Sequence, residues 1–218
     1  SMSHELRTPL NAIIGFSQIL LARLDTQEST KGFVEKIMIS GKSLLSLVNT
    51  ILDFSKIEAG KMDFSPDFFD LSKLIAEVHT LNEPLLMKKR LRCDVETGDT
   101  ERVFADFQLL KQVLVNLIAN AIKFSPPDGM ISLSFFREGG SLFIEVADEG
   151  EGFPPEKIDQ LFEPFSQLSN AKTVDEAGTG LGLMIVAKIA ELHSGTITAK
   201  NREPKGAKII MTIPQKEV

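Results

Sequence analysis

The sequence predicts an α+β protein, in which an N-terminal helical hairpin forms a dimeric four-helix bundle and is followed by a two-layer α/β sandwich. Three observations lead to this prediction. Apolar residues recur in alternating steps of four and three along residues 6–24, and the same steps return along residues 33–54. After Gly60 this pattern gives way to short apolar strands and shorter helices. Such a change of periodicity within 218 residues indicates two domains, which we place at residues 1–60 and 61–218.

The hairpin is predicted from a heptad seam on each of two helices. A polar break at residues 25–30 separates the helices and predicts a turn. Further apolar residues beside the seam, such as Ile14 and Val48, make the stripe wider than one hairpin can cover. We therefore expect two copies to pair as a homodimer, and the alternative is a hairpin that caps the second domain. The seam positions are Leu6, Leu10, Ile13, Ser17, Leu20 and Leu24, then Phe33, Ile37, Ser40, Leu44, Leu47, Ile51 and Phe54.

The second domain mixes both periodicities. Helical spacing predicts helices over residues 71–81, 106–124 and 181–193, and apolar alternation predicts strands over residues 131–136, 142–148, 196–199 and 208–213. Helices and strands of these lengths are typical of a sheet covered by helices on one face.

Composition excludes several classes of function. A net charge of -6 and a pI near 5.2 argue against a nucleic-acid partner, because phosphate backbones are bound by clustered Lys and Arg. The single cysteine, Cys93, cannot form an internal disulfide, so we expect a cytoplasmic, reducing location and a strand position for Cys93. No run of about eighteen apolar residues occurs, so we expect no membrane contact within this chain.

One of the three histidines stands in an informative string, SHELRTPL at residues 3–10. His4 falls outside the heptad seam, on the predicted solvent face. Roughly three quarters of exposed imidazole is neutral at pH 7 and has a lone pair that can attack phosphorus. The carboxylate of Glu5 can fix its tautomer and stabilise the cation that forms. Most surface histidines are inert, and His79 and His193, which lack such neighbours, are predicted to be structural.

Residues of the second domain suggest a nucleotide site. Asn116, Asn120 and Lys123 lie at successive turns of one predicted helix, where amide oxygens suit Mg²⁺ and the ammonium suits phosphate. Asp148 follows a strand and precedes Gly150 and Gly152, so its carboxylate can accept a hydrogen bond from an exocyclic amino group such as that of adenine. Each pattern alone also fits a solvated helix face or an ordinary acidic turn.

A third glycine-rich segment immediately precedes an apolar helix, where backbone amides can bind phosphate. It is neither a dinucleotide-binding fingerprint nor a P-loop, which disfavours both of those enzyme classes. The segment consists of Gly178, Thr179, Gly180, Leu181 and Gly182.

Together these motifs resemble those of the sensor histidine kinases of two-component systems, over nearly the whole chain. The string around His4 resembles the H box of the dimerisation and phosphoacceptor domain. The segments at Asn116, Asp148 and Gly178 resemble the N, G1 and G2 boxes of the histidine kinase ATPase domain, and LFEPF around Phe162 resembles its F box. Gyrase, Hsp90-type chaperones and mismatch-repair ATPases share the ATPase boxes more loosely.

This resemblance implies ATP and Mg²⁺ as cofactors, His4 as the phosphorylated residue and a response regulator as the partner that receives the phosphoryl group on an aspartate. Glu5 is implied as the acid/base partner, and Thr8 as the residue that positions water for dephosphorylation of the regulator. In the second domain the resemblance implies Asn120 as Mg²⁺ ligand with Asn116 beside it.

The same resemblance implies that Asp148 reads adenine, that the loop 178–182 lies against phosphates and that Thr212 reaches adenine indirectly. The segment after Phe165 lacks the Arg or Lys pair that many members carry near the glycines, and Lys172 is the candidate phosphate contact there.

Two other readings stay open. An ATP-gated clamp related to gyrase or a chaperone would hydrolyse ATP without phosphorylating a histidine. A scaffold that no longer turns over would bind a regulator only.

Overall fold

The computed structural model of the protein describes residues 2–23, 28–163, 166 and 180–216. The chain divides into two compact units, Ser1–Met62 and Asp63–Val218. The first is a helical hairpin and the second is an α/β sandwich, so the predicted α+β class is confirmed. Among the described residues, no helix combines the length and the apolar character needed to cross a membrane.

The hairpin consists of helix α1 (Met2–Arg23) and helix α2 (Glu28–Glu58), which pack against each other. Residues 28–30 are helical, so the predicted break at residues 25–30 was too long at its C-terminal end. Polar residues with adequate helix propensity can occupy the first turn of a helix, so a polar run does not by itself set the length of a turn. Residues 24–27 lie outside the described part of the chain. Gly60 ends α2 as predicted, with a left-handed backbone and an N–H that donates to the carbonyl oxygen of Ile57 (2.9 Å).

Two sets of apolar residues in the hairpin bear on its packing. Leu10 and Val34 are buried between the two helices, and Gly41 allows close packing there, because an added Cβ would lie 3.2 Å from Ile14 Cγ1. A second set of large apolar side chains is exposed and repeats every seven residues along each helix. Part of this set lines a groove of about 420 Å³ on the hairpin surface. The exposed set comprises Ile13 and Leu20 on α1, and Ile37, Leu44 and Ile51 on α2.

The second unit contains a five-stranded sheet in the order β2-β4-β5-β7-β6. Strand β2 pairs in parallel with β4, and the remaining neighbours are antiparallel. A separate pair of short strands, β1 and β3, is antiparallel. The strands are β1 (Asp67–Asp70), β2 (Arg92–Glu96), β3 (Arg102–Ala105), β4 (Met130–Glu138), β5 (Ser141–Ala147), β6 (Thr196–Asn201) and β7 (Ala207–Pro214).

Helices cover one face of this sheet. They are α3 (Leu71–Lys89), α4 (Phe107–Phe124) and α5 (Gly182–Leu192), and α4 and α5 pack side by side on the strands. Burial alternates along β4, β5 and β7, so that one face is buried and the other is half-exposed. Cross-strand pairs such as Phe135 with Ile144 build the core. This is the two-layer arrangement that the sequence predicts.

The structure corrects two details of the prediction. Helix α3 continues to Lys89, beyond the predicted end at residue 81, and includes Pro84. The three short strands β1, β2 and β3 were not predicted. Cys93 lies in β2, as expected for a half-buried apolar residue, and burial raises the pKa of its thiol.

Candidate functional site

Helix α4 presents the two asparagines of the candidate site. Asp106 caps its N-terminus, where the carboxylate accepts hydrogen bonds from the N–H groups of Gln108 (3.0 Å) and Leu109 (3.1 Å). Asn116 and Asn120 lie one turn apart and are half-buried. Neither side chain forms a hydrogen bond with another described residue, so both amide oxygens are available to a ligand.

The C-terminus of α4 is held by a lysine that sequence reasoning missed. Lys89, at the end of α3, donates from Nζ to the carbonyl oxygens of Ile122 and Lys123, each at 2.7 Å. These carbonyls have no partner within the helix, and a cation at this end also complements the helix dipole. The Nζ atom of Lys123 lies 4.9 Å from the ring centroid of Phe124.

Asp148 follows β5 and is only 7% exposed. Its Oδ1 accepts hydrogen bonds from the N–H groups of Gly150 (2.7 Å) and Ala207 (3.3 Å). Within the described part of the chain, Oδ2 has no hydrogen-bond partner. Burial raises the pKa of this carboxyl, and the two backbone donors and Arg202 oppose the shift. The arrangement fixes one carboxylate oxygen and leaves the other for a donor.

The loop that begins at Asp148 packs directly on the end of α4. An added Cβ at Gly150 would lie 2.7 Å from the carbonyl oxygen of Phe124, so only glycine permits this approach. The structure thus brings the helix of Asn116 and Asn120 together with the loop of Asp148, Gly150 and Gly152.

Of the other residues predicted for the nucleotide site, some are described by the structure and some are not. Phe162 is half-buried just after a 3₁₀ helix (Pro155–Gln160). Gly180 precedes the buried Leu181, and Gly182 begins α5 beside α4. Gly178, Thr179 and Lys172 lie outside the described residues. Among the described residues, no cluster of three His, Cys, Asp or Glu side chains could hold a metal ion.

One prediction from the resemblance is wrong. Thr212 alternates along β7 with Met211 and Ile213, which are fully buried under the helices. Its side chain therefore lies on the half-exposed face of the sheet, opposite α4 and α5. From that face it does not reach the region between α4 and the Asp148 loop.

The histidines differ in their surroundings. His4 lies in α1 with Glu5 and Thr8, where the structure describes the backbone but not these side chains. His79 is exposed on α3. His193 is buried, with Nδ1 donating to the carbonyl oxygen of Ile189 (2.8 Å) and Nε2 accepting from the N–H of Asp106 (3.0 Å). Burial lowers the pKa of His193, so its role is structural in a neutral form.

Comparison with known families defines the class of protein. Residues 105–217 match the family described as the histidine kinase-, DNA gyrase B-, and HSP90-like ATPase. Residues 1–60 match the His kinase A (phospho-acceptor) domain. The class is therefore an ATPase domain preceded by a phosphoacceptor domain.

Relatives identify the family. The chain is 39% identical over 98% of its length to an uncharacterized sensor-like histidine kinase of Rhizobium meliloti. It is 35% identical over 99% of its length to the autoinducer 2 sensor kinase/phosphatase LuxQ of Vibrio harveyi. The chain belongs to the sensor histidine kinases. It spans 42% of the first relative and 26% of the second.

Solved structures agree in fold. Full-length ShkA in complex with AMPPNP matches with a TM-score of 0.82 and 29% identity, covering 100% of this chain and 45% of that chain. Histidine kinase ThkA in complex with response regulator protein TrrA matches with a TM-score of 0.69 and 30% identity, covering 99% and 60%.

Proposed function

We propose that this chain is an ATP-dependent protein-histidine autokinase that phosphorylates His4. Residues 61–218 bind ATP, and residues 1–60 present the histidine. The observation that carries the proposal is the buried Asp148 carboxylate, in which backbone donors hold Oδ1 and no described residue forms a hydrogen bond with Oδ2. A buried, oriented acceptor of this kind suits the exocyclic amino group of adenine. The complex of ShkA with AMPPNP supports an adenine nucleotide as the ligand.

The residues on α4 fit a magnesium nucleotide. Mg²⁺ prefers hard oxygen ligands and usually retains water while bridging phosphates, so one or two amide oxygens are a sufficient protein contribution. Asn120 would hold the ion with Asn116 beside it, and both amides are available. When bound, Mg²⁺ supplies charge neutralisation at the β- and γ-phosphates.

The proposed reaction is an in-line transfer at phosphorus. A ring nitrogen of neutral His4 forms the new N–P bond while the bond between the γ-phosphorus and the β,γ-bridging oxygen breaks, which releases ADP. Glu5, the next residue in α1, accepts a hydrogen bond from the other ring nitrogen and stabilises the positive charge that develops. Positioning of the two reactants provides most of the acceleration.

The phosphoryl group then passes to an aspartate of a response regulator. The complex of ThkA with response regulator protein TrrA supports this partner. The sensor kinase/phosphatase LuxQ supports a second activity, in which water removes the phosphoryl group from the regulator. Thr8 lies one turn after His4 in α1, where a hydroxyl can orient the attacking water. Because ATP and response regulators are cytoplasmic molecules, we place the chain in the cytoplasm.

The hairpin is proposed to act as a homodimer. Part of the exposed heptad set on α1 and α2 lines one groove, and two such faces would bury each other as a four-helix bundle. Ile13, Ile37 and Leu44 line this groove together.

Incubation with γ-labelled ATP and Mg²⁺ tests the proposal. Wild-type protein is expected to gain acid-labile, alkali-stable label, and His4→Ala is expected to gain none. His79→Ala, which removes an exposed histidine on α3, is the matched control and should be labelled normally. Nucleotide hydrolysis with no label on wild type would overturn the autokinase proposal and favour an ATP clamp.

A further inference from the structure

The turn between β6 and β7 packs against the loop that carries Asp148. Strand β5 ends beside the start of β7, with Ala147 opposite Lys208, and β6 ends with Asn201 opposite Ala207. The loop Asp148–Phe153 and the turn Asn201–Ala207 therefore meet at the same end of the sheet. None of the nucleotide-site motifs includes a residue of this turn.

One end of the loop is held at Asp148. The N–H of Asp148 donates to the carbonyl oxygen of Ala207 (2.9 Å), and the guanidinium of Arg202 donates to the carbonyl oxygen of Asp148 (3.2 Å). A Cβ at Gly206 would overlap that same carbonyl oxygen, so the two chains approach as closely as glycine allows. These contacts fix the main chain from which the carboxylate projects.

The other end of the loop is held by one side chain. Asn201 Oδ1 accepts from the N–H of Phe153 (2.7 Å), and Asn201 Nδ2 donates to the carbonyl oxygen of Phe153 (2.8 Å). A planar amide can satisfy both backbone groups at once, because it carries an acceptor and a donor side by side. Gly152 has a φ of 79°, and an added Cβ there would lie 2.6 Å from Asn201 Oδ1. Asn201 thus holds the backbone of Phe153 by two hydrogen bonds and packs closely against Gly152.

We infer that Asn201 is a positioning residue that fixes the loop Asp148–Phe153 and thereby sets the preference of the site for adenine over guanine nucleotides. This inference rests on the proposed function, in which Asp148 Oδ2 accepts from the adenine amino group. Guanine presents a carbonyl oxygen where adenine presents that amino group, and a carboxylate held in place repels it. The main chain at Asp148 stays fixed without Asn201, but a loop released at Phe153 loosens Gly150, whose N–H holds Asp148 Oδ1. The carboxylate can then turn towards other donors of guanine, so the preference for adenine falls.

Dissociation constants of ATP and GTP, measured by calorimetry on the 218-residue chain, test the inference. Asn201→Ala is expected to raise the dissociation constant of ATP about tenfold, the size of one or two lost hydrogen bonds, and to change that of GTP less. The preference for ATP over GTP therefore falls. Thr198→Ala is the matched control, because Thr198 is exposed on the same strand, and it should leave both constants unchanged.

Two further measurements separate positioning from folding. Hydrogen exchange at the Phe153 amide should accelerate in Asn201→Ala without nucleotide, since the acceptor of that N–H is removed. Asn201→Asp keeps this acceptor and loses the donor, so its ATP-to-GTP preference should lie between those of wild type and Asn201→Ala. The added charge acts on the phosphates of both nucleotides and cancels in the ratio.

The outcomes are distinct. An unchanged ratio in Asn201→Ala, with faster exchange at Phe153, would overturn the positioning role and leave the proposed function intact. Equal losses of ATP and GTP affinity with a lower melting temperature would also overturn it, because they indicate a structural role only. Wild-type protein that binds no ATP would overturn the proposed function and this inference with it.

Discussion

The hairpin and the sandwich use apolar side chains in opposite ways. In the sandwich, the inner faces of the helices and one face of the sheet bury large apolar residues, with Leu110, Phe135 and Ile185 at 1% exposure or less. In the hairpin, apolar residues of both heptad seams are exposed, namely Ile13 and Leu20 on α1 and Ile37, Leu44 and Ile51 on α2. The sandwich has its own core, whereas the hairpin exposes a face that only another surface can cover.

The difference in burial between the two units suits nucleotide binding in the sandwich and presentation of a phosphoacceptor in the hairpin. A nucleotide site needs groups held in place before the ligand arrives, and the sandwich supplies them through a buried carboxylate and capped helix ends. A phosphoacceptor must be reached by more than one partner, and a helix surface offers that access. We expect mutations in the hairpin to act mainly through association, and mutations in the sandwich to act through ligand affinity or folding.

The largest expected effect comes from a charge in the exposed heptad stripe. In a symmetric dimer, Ile37→Glu puts one carboxylate from each copy into the proposed interface. Each copy also loses about 1.5–3 kcal/mol of free energy from burial of the isoleucine side chain. The dimer should weaken by about a hundredfold or more, as measured by sedimentation. Ile39→Glu is the matched control, because Ile39 is 60% exposed, lies outside the heptad stripe and does not line the groove. A dimer that survives Ile37→Glu unchanged would remove this stripe as the interface.

The second-largest effect is expected from Asp148→Asn, which should weaken ATP binding without lowering the stability of the sandwich. Asp148→Asn keeps an oxygen that can accept from Gly150 and Ala207, but it can place an NH₂ group where adenine requires an acceptor. The dissociation constant of ATP should rise roughly 10- to 100-fold, the loss of a charge-assisted hydrogen bond.

The same substitution, Asp148→Asn, should not lower the stability of the fold, although it weakens ATP binding. Burial raises the pKa of Asp148, so the folded state binds more protons than the unfolded state and the ionised carboxylate costs stability at neutral pH. The melting temperature of Asp148→Asn at pH 7.5 should therefore equal or exceed that of wild type. Asp99→Asn, an exposed carboxylate, should change neither quantity. A strongly destabilised Asp148→Asn would contradict this account.

A third, smaller effect is expected at the start of α4. Asp106→Ala removes the N-cap of α4 and the acceptor of the Ser65 N–H (2.8 Å), and should cost about 2 kcal/mol. For a unit of this size that corresponds to a melting temperature lower by about 4–8 °C in calorimetry. Asp106→Asn retains an acceptor and should lose clearly less. Equal losses in both variants would show that the charge, and not the cap, stabilises the helix.

The sequence predicts the long-period features of both units well. The heptad steps locate α1 and α2, and apolar periodicity locates α4, α5 and the four longest strands to within a few residues. The short strands β1, β2 and β3 escape detection, because four or five residues carry too little alternation and their pairing is set by distant partners. Helix α3 continues past its apolar pattern and ends only at the left-handed Arg90, whose N–H donates to the carbonyl oxygens of Leu86 and Met87.

The candidate site likewise contains residues that the sequence predicts and residues that it does not. Motif residues such as Asp148 and Gly150 can be found from local spacing, since their turn is encoded within a few residues. Asn201 and Lys89 cannot, because each is a single polar residue whose partners lie far along the chain. The error at Thr212 was avoidable, because strict alternation with buried Met211 and Ile213 already places it on the other sheet face.

The smallest expected effect is a pH dependence confined to the sandwich. Burial lowers the pKa of His193, although the carbonyl oxygen of Ile189 and the charge of Asp106 oppose the shift. Below the ordinary histidine value of about 6.5 the unfolded chain gains a proton that the folded chain resists, so stability present at pH 7.5 is progressively lost towards pH 5.5. His193→Gln should show a smaller fall in melting temperature between these two pH values than wild type. His79→Gln removes a histidine from the exposed surface of α3 and should retain the wild-type fall. If His193→Gln instead falls as steeply as wild type, other groups govern the acid sensitivity and the neutral, doubly hydrogen-bonded His193 contributes nothing to it.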